Sequence, residues 1–253
     1  MLKIAAVQFD ITWEDAEANR TYLEPRIKQH ADADLIILPE MFNAGFTINV
    51  NLVAEENEGP TVQWMQHLAK ELDCAICGSI PTKLTDKYVN RFYWVETNRI
   101  LHYDKKHLFG YGKESEVYSA GDTQILIEFK DWKIKPLICY DLRFPVWSRN
   151  TEGYDLLLYV ANWPDTRASA WRQLLRARAI ENLCFVCGVN RIGKDGVGLN
   201  YIGDSAIIDY MGEDIACLTD AEEVITSVLE KKKMDSFRKQ FNFLNDRDVF
   251  TLD

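Results

Sequence analysis

Residues 136–145 read Pro-Leu-Ile-Cys-Tyr-Asp-Leu-Arg-Phe-Pro, and the apolar run that begins at residue 133 ends at Cys139. This pattern favours a buried strand that delivers Cys139 to a turn. The next residues, Leu-Arg-Phe-Pro-Val-Trp, favour the start of a helix with Pro145 in its first turn. A cysteine at such a turn lies near backbone N–H groups and the positive end of a helix, and both stabilise a thiolate. The pattern alone leaves a reactive cysteine and a buried core cysteine equally open.

Two other segments place a reactive side chain at or just after a strand end. Residues 35–42, Leu-Ile-Ile-Leu-Pro-Glu-Met-Phe, put Glu40 after an apolar strand and a proline, where a carboxylate can lie at the rim of a sheet. Residues 102–109, His-Tyr-Asp-Lys-Lys-His-Leu-Phe, put two lysines between aromatic and apolar residues, so partial burial is expected. A partly buried lysine can stabilise developing negative charge. By itself, each segment is more typical of a solvated surface charge.

The rest of the chain predicts mixed sheets with helices outside them. Strand patterns rich in Val, Ile, Phe and Tyr cover residues 3–9, 35–38, 74–80, 91–96, 100–103, 125–129, 133–139, 156–160, 185–190, 205–208 and 224–229. Helical spacing covers residues 14–31, 61–72 and 167–182, with Pro25 as an expected disturbance. Several neighbouring strands are linked too closely for a crossover helix, which argues against a purely parallel sheet.

Length and charge exclude several classes of protein. A chain of 253 residues is long enough for one large domain with a single core. A net charge of -10 argues against a nucleic-acid-binding protein, which normally presents a basic face. The sequence shows no signal peptide and no apolar run near the length of a membrane span, so a cytoplasmic protein without membrane contact is expected.

The six cysteines include two C-x-x-C pairs, Cys74/Cys77 and Cys184/Cys187. Both pairs lie in strand-like runs, where residues three apart point to opposite faces, so neither pair is expected to bind one metal ion. Buried structural thiols are the expectation. The four histidines form no H-x-x-x-H pair, which leaves a zinc enzyme without support.

Taken together, the three reactive segments resemble the nitrilase superfamily, the carbon–nitrogen hydrolases. Members of that family have a Glu in a strand-Pro-Glu segment, a Lys two residues before His-Leu-Phe and a Cys in a Cys-Tyr-Asp-Leu-Arg-Phe-Pro-like elbow. These positions are Glu40, Lys105 and Cys139 here, and the register selects Lys105 over Lys106. A second glutamate of the family corresponds to Glu114 in Gly-Lys-Glu-Ser-Glu-Val-Tyr-Ser-Ala-Gly-Asp. The resemblance continues through Val-Ala-Asn-Trp-Pro, Ala-Arg-Ala-Ile-Glu-Asn and Gly-Val-Asn-Arg and spans nearly the whole chain.

The resemblance implies an α/β fold, a four-layer α-β-β-α sandwich in which residues 1–253 form a single carbon–nitrogen hydrolase domain. It also implies a homodimer, for which the helix after Pro145 and the helix over 167–182 are the expected surface.

The same resemblance implies a cysteine-dependent amidase that needs no metal or organic cofactor. Cys139 is the expected nucleophile, and Glu40 is the expected general base. Lys105 and the backbone N–H of Tyr140 are the expected oxyanion donors, and Glu114 is expected to orient these groups.

The expected substrate is a small amide. Residues 109–115 and 190–205 look most like the omega-amidase branch, which hydrolyses the terminal amide of a small dicarboxylic acid monoamide such as 2-oxoglutaramate. A deaminated glutathione amidase, or another hydrolase of small aliphatic amides or carbamoyl groups, is the alternative. A synthetase would need an extra domain, and a non-catalytic binding module would normally have lost one of the three reactive residues.

The expected substrate-binding residues are Phe46, Tyr111, Tyr140, Asn162 and Trp163. The resemblance places the segments of Phe46 and Trp163 near the pocket mouth, and for these two an ordinary core position is equally open. The donors available to anchor a substrate carboxylate are Tyr111, Lys113, Arg143, Arg167 and Arg191. Within the elbow, Asp141 and Arg143 are expected to form a structural ion pair. His107 is expected to hold the lysine loop through packing and hydrogen bonding.

Overall fold

The computed structural model describes residues 1–251. In this range the strands are β1 Leu2–Gln8, β2 Leu35–Ile37, β3 Glu55–Glu56, β4 Ala75–Lys83, β5 Tyr88–Glu96, β6 Arg99–Asp104, β7 Ile127–Phe129, β8 Trp132–Ile138, β9 Leu156–Val160, β10 Phe185–Val189, β11 Ile192–Lys194, β12 Asn200–Ile208, β13 Asp214–Thr219 and β14 Glu223–Leu229. The α-helices are α1 Ala16–Lys28, α2 Val50–Val53, α3 Pro60–Leu72, α4 Glu114–Val117, α5 Ala168–Asn182 and α6 Lys231–Gln240. A 3₁₀ turn covers Cys139–Arg143.

The strands form two seven-stranded sheets. The first has the order β14-β1-β2-β4-β5-β6, with β3 paired to β4, and the second has the order β11-β12-β10-β9-β8-β7, with β13 paired to β12. Each sheet has three parallel strands at its centre, β1-β2-β4 and β8-β9-β10, and antiparallel strands on both sides of them. The prediction of mixed sheets is therefore confirmed.

The two sheets pack face to face between layers of helices. Side chains alternate along a strand, so Ile4 and Ile37 enter the core between the sheets, whereas Ala5 and Ile36 face α1 and α3. Helix α5 covers the second sheet, and it approaches so closely at Gly188 that a Cβ there would lie 2.5 Å from a methyl carbon of Leu175. The α-β-β-α sandwich is the architecture that the sequence led us to expect.

Two local predictions from the sequence are wrong. The segment that begins at Pro145 is not helical; residues 145–148 form turns after the short 3₁₀ segment. The residue before a proline is pushed out of the helical region, and Phe144 accordingly has φ −113° and ψ 89°. The helix that was expected to contribute to a dimer surface after Pro145 is therefore absent. Pro25 does not interrupt α1, which is continuous from Ala16 to Lys28.

The four paired cysteines are buried as predicted, but Cys74 and Cys184 lie just before β4 and β10 rather than within them. Cys74 packs beneath the outer helices and Cys77 in the core between the sheets, so the two thiols face opposite sides of the first sheet. Cys184 and Cys187 are also buried and free. Residues 1–251 contain no cluster of three or more His, Cys, Asp or Glu side chains that could hold a metal ion.

Polar contacts join the two sheets beyond the end of β1. The backbone N–H of Ser205 donates to Gln8 Oε1 at 3.1 Å, and Arg191 Nη2 donates to Asp10 Oδ1 at 2.7 Å. These contacts fix one sheet relative to the other near the site described below. Within the described part of the chain, no helix has both the length and the apolar character needed to cross a membrane.

Candidate active site

Three strand ends and the start of a short helix bring four reactive groups together. Glu40 follows β2 of the first sheet, Lys105 follows β6, Cys139 follows β8 of the second sheet, and Glu114 begins α4. The structure thus gathers all four residues that the family resemblance implied for catalysis. The contacts among them set what the site can do.

Glu40 is fully buried and is held by donors from both sheets. Its Oε1 accepts from Lys105 Nζ at 2.8 Å, and its Oε2 accepts from the backbone N–H of Asn162 at 2.8 Å. Asn162 Nδ2 also donates to the backbone carbonyl of Glu40 at 2.5 Å. The carboxylate is therefore fixed in position and orientation before any substrate arrives.

Lys105 bridges two carboxylates without contact with solvent. Its Nζ donates to both oxygens of Glu114, at 3.1 and 2.9 Å, besides Glu40. Burial by itself would lower the pKa of Lys105, but Glu114 and Glu40 outweigh it and raise that pKa, so the ammonium stays charged. Burial raises the pKa of Glu114, and the ammonium partly opposes this rise. A buried site with two carboxylates and one ammonium can accept a proton and stabilise new negative charge.

The sequence analysis missed Asn90, which also contacts both carboxylates. Its Nδ2 donates to Glu40 Oε1 at 2.8 Å and to Glu114 Oε1 at 3.1 Å. The sequence offered only an asparagine between Val89 and Arg91, directly before the predicted strand over residues 91–96. That position does not reveal which groups the amide contacts.

Cys139 occupies a strained position at the elbow. Its φ is +43°, in the left-handed region that non-glycine residues rarely adopt, and the side chain faces the pocket although the residue is only 8% exposed. Burial, followed by the charge of Glu40, raises the pKa of the Cys139 thiol well above its ordinary value. Lys105 opposes this rise, but burial acts more strongly than the ammonium and against the effect expected from the elbow turn. A thiol with a raised pKa requires a base to accept its proton, and Glu40 is the adjacent candidate.

The elbow is tied to the lysine loop by Asp141. Its carboxylate accepts from the Tyr103 hydroxyl at 2.8 Å and from the backbone N–H of His107 at 3.0 Å, and His107 Nδ1 lies 2.8 Å from the same carboxylate. The His107 ring also stacks on Phe144 at 3.6 Å. The expected role of His107 is confirmed, but the expected Asp141–Arg143 ion pair is wrong, because the loop occupies Asp141 instead.

A pocket of about 480 Å³ opens above Cys139. All five residues expected to contact substrate line it: Phe46, Tyr111, Tyr140, Asn162 and Trp163. The other lining residues include the aromatic side chains of Trp13, Phe109 and Tyr201. The walls are thus largely aromatic, and the reactive cysteine lies among them.

Positive side chains lie at the pocket wall. Lys113, Arg143 and Arg167 line the pocket, whereas Arg191 does not, because it is buried on Asp10. The structure therefore removes Arg191 from the candidate anchors.

The two arginines rest on aromatic rings. The Arg143 guanidinium lies 5.0 Å from the ring of Trp163, and that of Arg167 lies 5.1 Å from the ring of Phe109. Neither arginine forms a salt bridge within residues 1–251. Both are free to bind a carboxylate.

Comparison with known proteins agrees with this geometry. Residues 3–239 match the Carbon-nitrogen hydrolase family. The chain is 41% identical to Omega-amidase YafV of Escherichia coli (strain K12) over 99% of this chain and 98% of the relative. It is 32% identical to the 2-oxoglutaramate amidase of Bacillus subtilis (strain 168), with 96% of each chain covered.

A solved structure is equally similar. XC1258 from Xanthomonas campestris, described as a CN-hydrolase superfamily protein with an arsenic adduct in the active site, superposes with a TM-score of 0.97 at 42% identity. The match covers 100% of this chain and 99% of that one.

Proposed function

Because this chain belongs to the carbon–nitrogen hydrolase family, we propose that it is a cysteine-dependent omega-amidase. The substrate is the terminal amide of a small dicarboxylic acid monoamide, such as 2-oxoglutaramate, and the products are the carboxylate and ammonia. The observation that carries the proposal is the buried contact of Glu40 with Lys105 beside Cys139, which lines a pocket with unpaired arginines. The relatives named omega-amidase and 2-oxoglutaramate amidase support the same activity.

The first half of the reaction forms a thioester. Glu40 takes the proton of the Cys139 thiol as Sγ attacks the amide carbon, because the raised pKa of the thiol prevents a free thiolate. Lys105 and the backbone N–H of Tyr140 stabilise the oxyanion of the tetrahedral intermediate. Its C–N bond then breaks, and Glu40 returns the proton to the departing ammonia.

The second half releases the acid. Glu40 takes a proton from water, and the resulting hydroxide attacks the thioester carbon. The C–S bond breaks, and the Cys139 sulfur recovers a proton from Glu40. Glu114 holds Lys105 at the oxyanion position through its two hydrogen bonds.

Recognition of the substrate depends on its distant carboxylate. Arg143, Arg167 and Lys113 are the cations on the pocket wall, and the two guanidinium groups can bind a carboxylate through two parallel N–H donors. Phe46 and Trp163 contact the short carbon chain between the two ends. A site with this pattern prefers an acidic amide to a neutral one of the same length.

The test is a comparison of kcat/KM for 2-oxoglutaramate, deaminated glutathione and hexanamide, measured by ammonia release. We expect 2-oxoglutaramate to be preferred over hexanamide by more than about tenfold, equivalent to about 1.4 kcal/mol of transition-state binding. Preference for deaminated glutathione would identify the longer acyl chain as the substrate. Preference for hexanamide would reject the carboxylate anchor.

Assembly and location complete the proposal. Residues 1–253 act as one domain in a cytoplasmic enzyme, and two copies pair through α5, on which Ile180 is 53% exposed. No cofactor is required, and neither nucleic acid nor a membrane takes part. Light scattering at micromolar concentration should give the mass of a dimer, and a monomer would contradict the proposed pairing.

A further inference from the structure

Asn90 makes a second bridge between the carboxylates of the active site. It lies on β5, is fully buried, and directs its amide nitrogen to Glu40 and Glu114. Carboxylates accept hydrogen bonds, so the amide nitrogen must face them and each of its hydrogens serves one. Its Oδ1 has no hydrogen-bond partner within residues 1–251.

The strand pairing fixes where Asn90 lies. Residue Arg91 of β5 pairs with Asp104 of β6, and the backbone N–H of Lys105 donates to the Asn90 carbonyl at 3.0 Å. Asn90 therefore contacts Lys105 through its backbone and the two glutamates through its side chain. A small change at this residue would displace three charged groups together.

Asn90 and Lys105 differ in what they can do during the reaction. The three donors of Lys105 are all directed at Glu40 and Glu114, so stabilising an oxyanion requires Lys105 to weaken one of these bonds. Asn90 is fully buried and does not line the pocket, and neither of its two donors is needed to bind the oxyanion. Its neutral donors can stabilise both carboxylates when the ammonium turns to the substrate.

We propose that Asn90 is a positioning residue that keeps Glu40 and Glu114 aligned and ionised while Lys105 binds the oxyanion. This role rests on the proposed amide hydrolysis. The titratable groups that face the amide are Glu40 after β2, Lys105 after β6 and Glu114 in α4. Cys139 and Tyr118 lie close enough to act on the same carboxylates.

The first variant is Asn90→Leu, which removes both donors and keeps the branching of the side chain. We expect kcat to fall about 10- to 100-fold with little change in KM, because Asn90 is outside the pocket wall. The hydrogen bond from Asn90 lowers the pKa of Glu114, so its loss should also shift the acid limb of the kcat profile to higher pH.

The second variant, Asn90→Asp, keeps the shape of the side chain. When ionised it has no donor and adds a third negative charge, so activity near neutral pH should fall further than in Asn90→Leu. When protonated it can donate one O–H, so the deficit relative to wild type should shrink as the pH falls. A merely structural role would give a deficit that does not vary with pH.

Alkylation of Cys139 by iodoacetamide, followed by intact mass, gives a readout that needs no substrate. Its rate depends on the base that takes the thiol proton, so the acid limb of this rate should move to higher pH in Asn90→Leu. The matched control is Asn43→Leu, which removes a buried amide directed at Glu55 rather than at the cluster. Asn43→Leu should not shift the pH profile of kcat or that of the alkylation rate.

The outcomes separate the two proposals. Unchanged pH profiles in both Asn90 variants would overturn the role of Asn90, even if wild type hydrolyses 2-oxoglutaramate. Shifted alkylation profiles together with no ammonia release from any omega-amide would reject the proposed function but support Asn90 as the residue that aligns the base of Cys139.

Discussion

Charges are held in opposite ways in the buried cluster and on the wall of the pocket. The buried cluster consists of Glu40, Lys105 and Glu114 beside Cys139, and Lys105 pairs with both carboxylates there without contact with solvent. On the wall, Arg143 and Arg167 rest on aromatic rings without a carboxylate partner. The charges of the buried cluster thus bind one another, whereas those on the wall are available to bind a ligand.

This difference separates chemistry from specificity. A buried charge that loses its partner destabilises the site, so any substitution in the buried cluster should slow the hydrolysis of every substrate. A guanidinium on the wall contributes only when the ligand supplies an anion. The proposed function therefore predicts that substitutions in the buried cluster lower activity equally for all substrates. Substitutions on the wall should lower it only for substrates that carry an anion.

The largest effect is expected from Cys139→Ala. Without the sulfur no thioester forms, so ammonia release from every amide should fall at least about 10⁴-fold. Circular dichroism should show an intact fold. Cys217→Ala is the matched control, because this thiol is exposed on β13 and should be dispensable. Turnover at the wild-type rate in Cys139→Ala would show that another residue is the nucleophile.

The next largest effects are expected from Glu40→Gln and Lys105→Ala. Each should lower kcat at least about 100-fold, for neutral and acidic amides alike, through loss of the base or of an oxyanion donor. A slow substrate should leave an acyl adduct on Cys139 in Glu40→Gln, visible by intact mass. A loss of activity confined to acidic amides would contradict the proposed difference between the buried cluster and the wall.

A smaller, selective effect is expected from Arg143→Ala and Arg167→Ala. Loss of a charged hydrogen bond costs about 1.5–3 kcal/mol, which corresponds to about 10- to 150-fold in kcat/KM for 2-oxoglutaramate. The value for hexanamide should change little. Arg176→Ala is the control, because this exposed arginine on α5 pairs with Asp214 outside the pocket. Equal losses for both substrates would assign the arginines a structural role.

The smallest effect concerns the ionisation of Cys139. Burial and Glu40 raise the pKa of its thiol, and a thiol with a raised pKa stays protonated as the pH approaches that value from below. The difference in absorbance at 240 nm between wild type and Cys139→Ala should therefore show no thiolate from pH 6 to 8.5. A thiolate signal at pH 7 would mean that Cys139 and Lys105 form an ion pair before substrate binds.

The sequence predicts the parts of the site that depend on the succession of residues along the chain. Glu40 and Cys139 each follow an apolar run, so strand-end positions could be read directly from the residues. Lys105 could be assigned only by resemblance to the family register. Most strands were predictable because their apolar runs are buried, whereas the largely exposed β13 lacks that signal.

Other features depend on contacts that local order does not encode. Asn90 reaches the carboxylates through the pairing of β5 with β6, and Arg191 is withdrawn from the pocket by Asp10 on the opposite sheet. The raised pKa of the Cys139 thiol follows from three-dimensional burial, which the elbow motif does not reveal. The turn at Pro145 was predictable in principle, since a residue before proline avoids helical angles.

The hydrogen bond from Asn162 to Glu40 has a consequence for folding cooperativity. It joins the second sheet to the first inside the reaction centre, and the Arg191–Asp10 contact joins the sheets nearby. An intermediate in which either sheet had separated would lose the alignment of base and nucleophile. Only the protein with both sheets packed together can therefore be active. The loss of activity in denaturant should follow the global unfolding equilibrium rather than a local one.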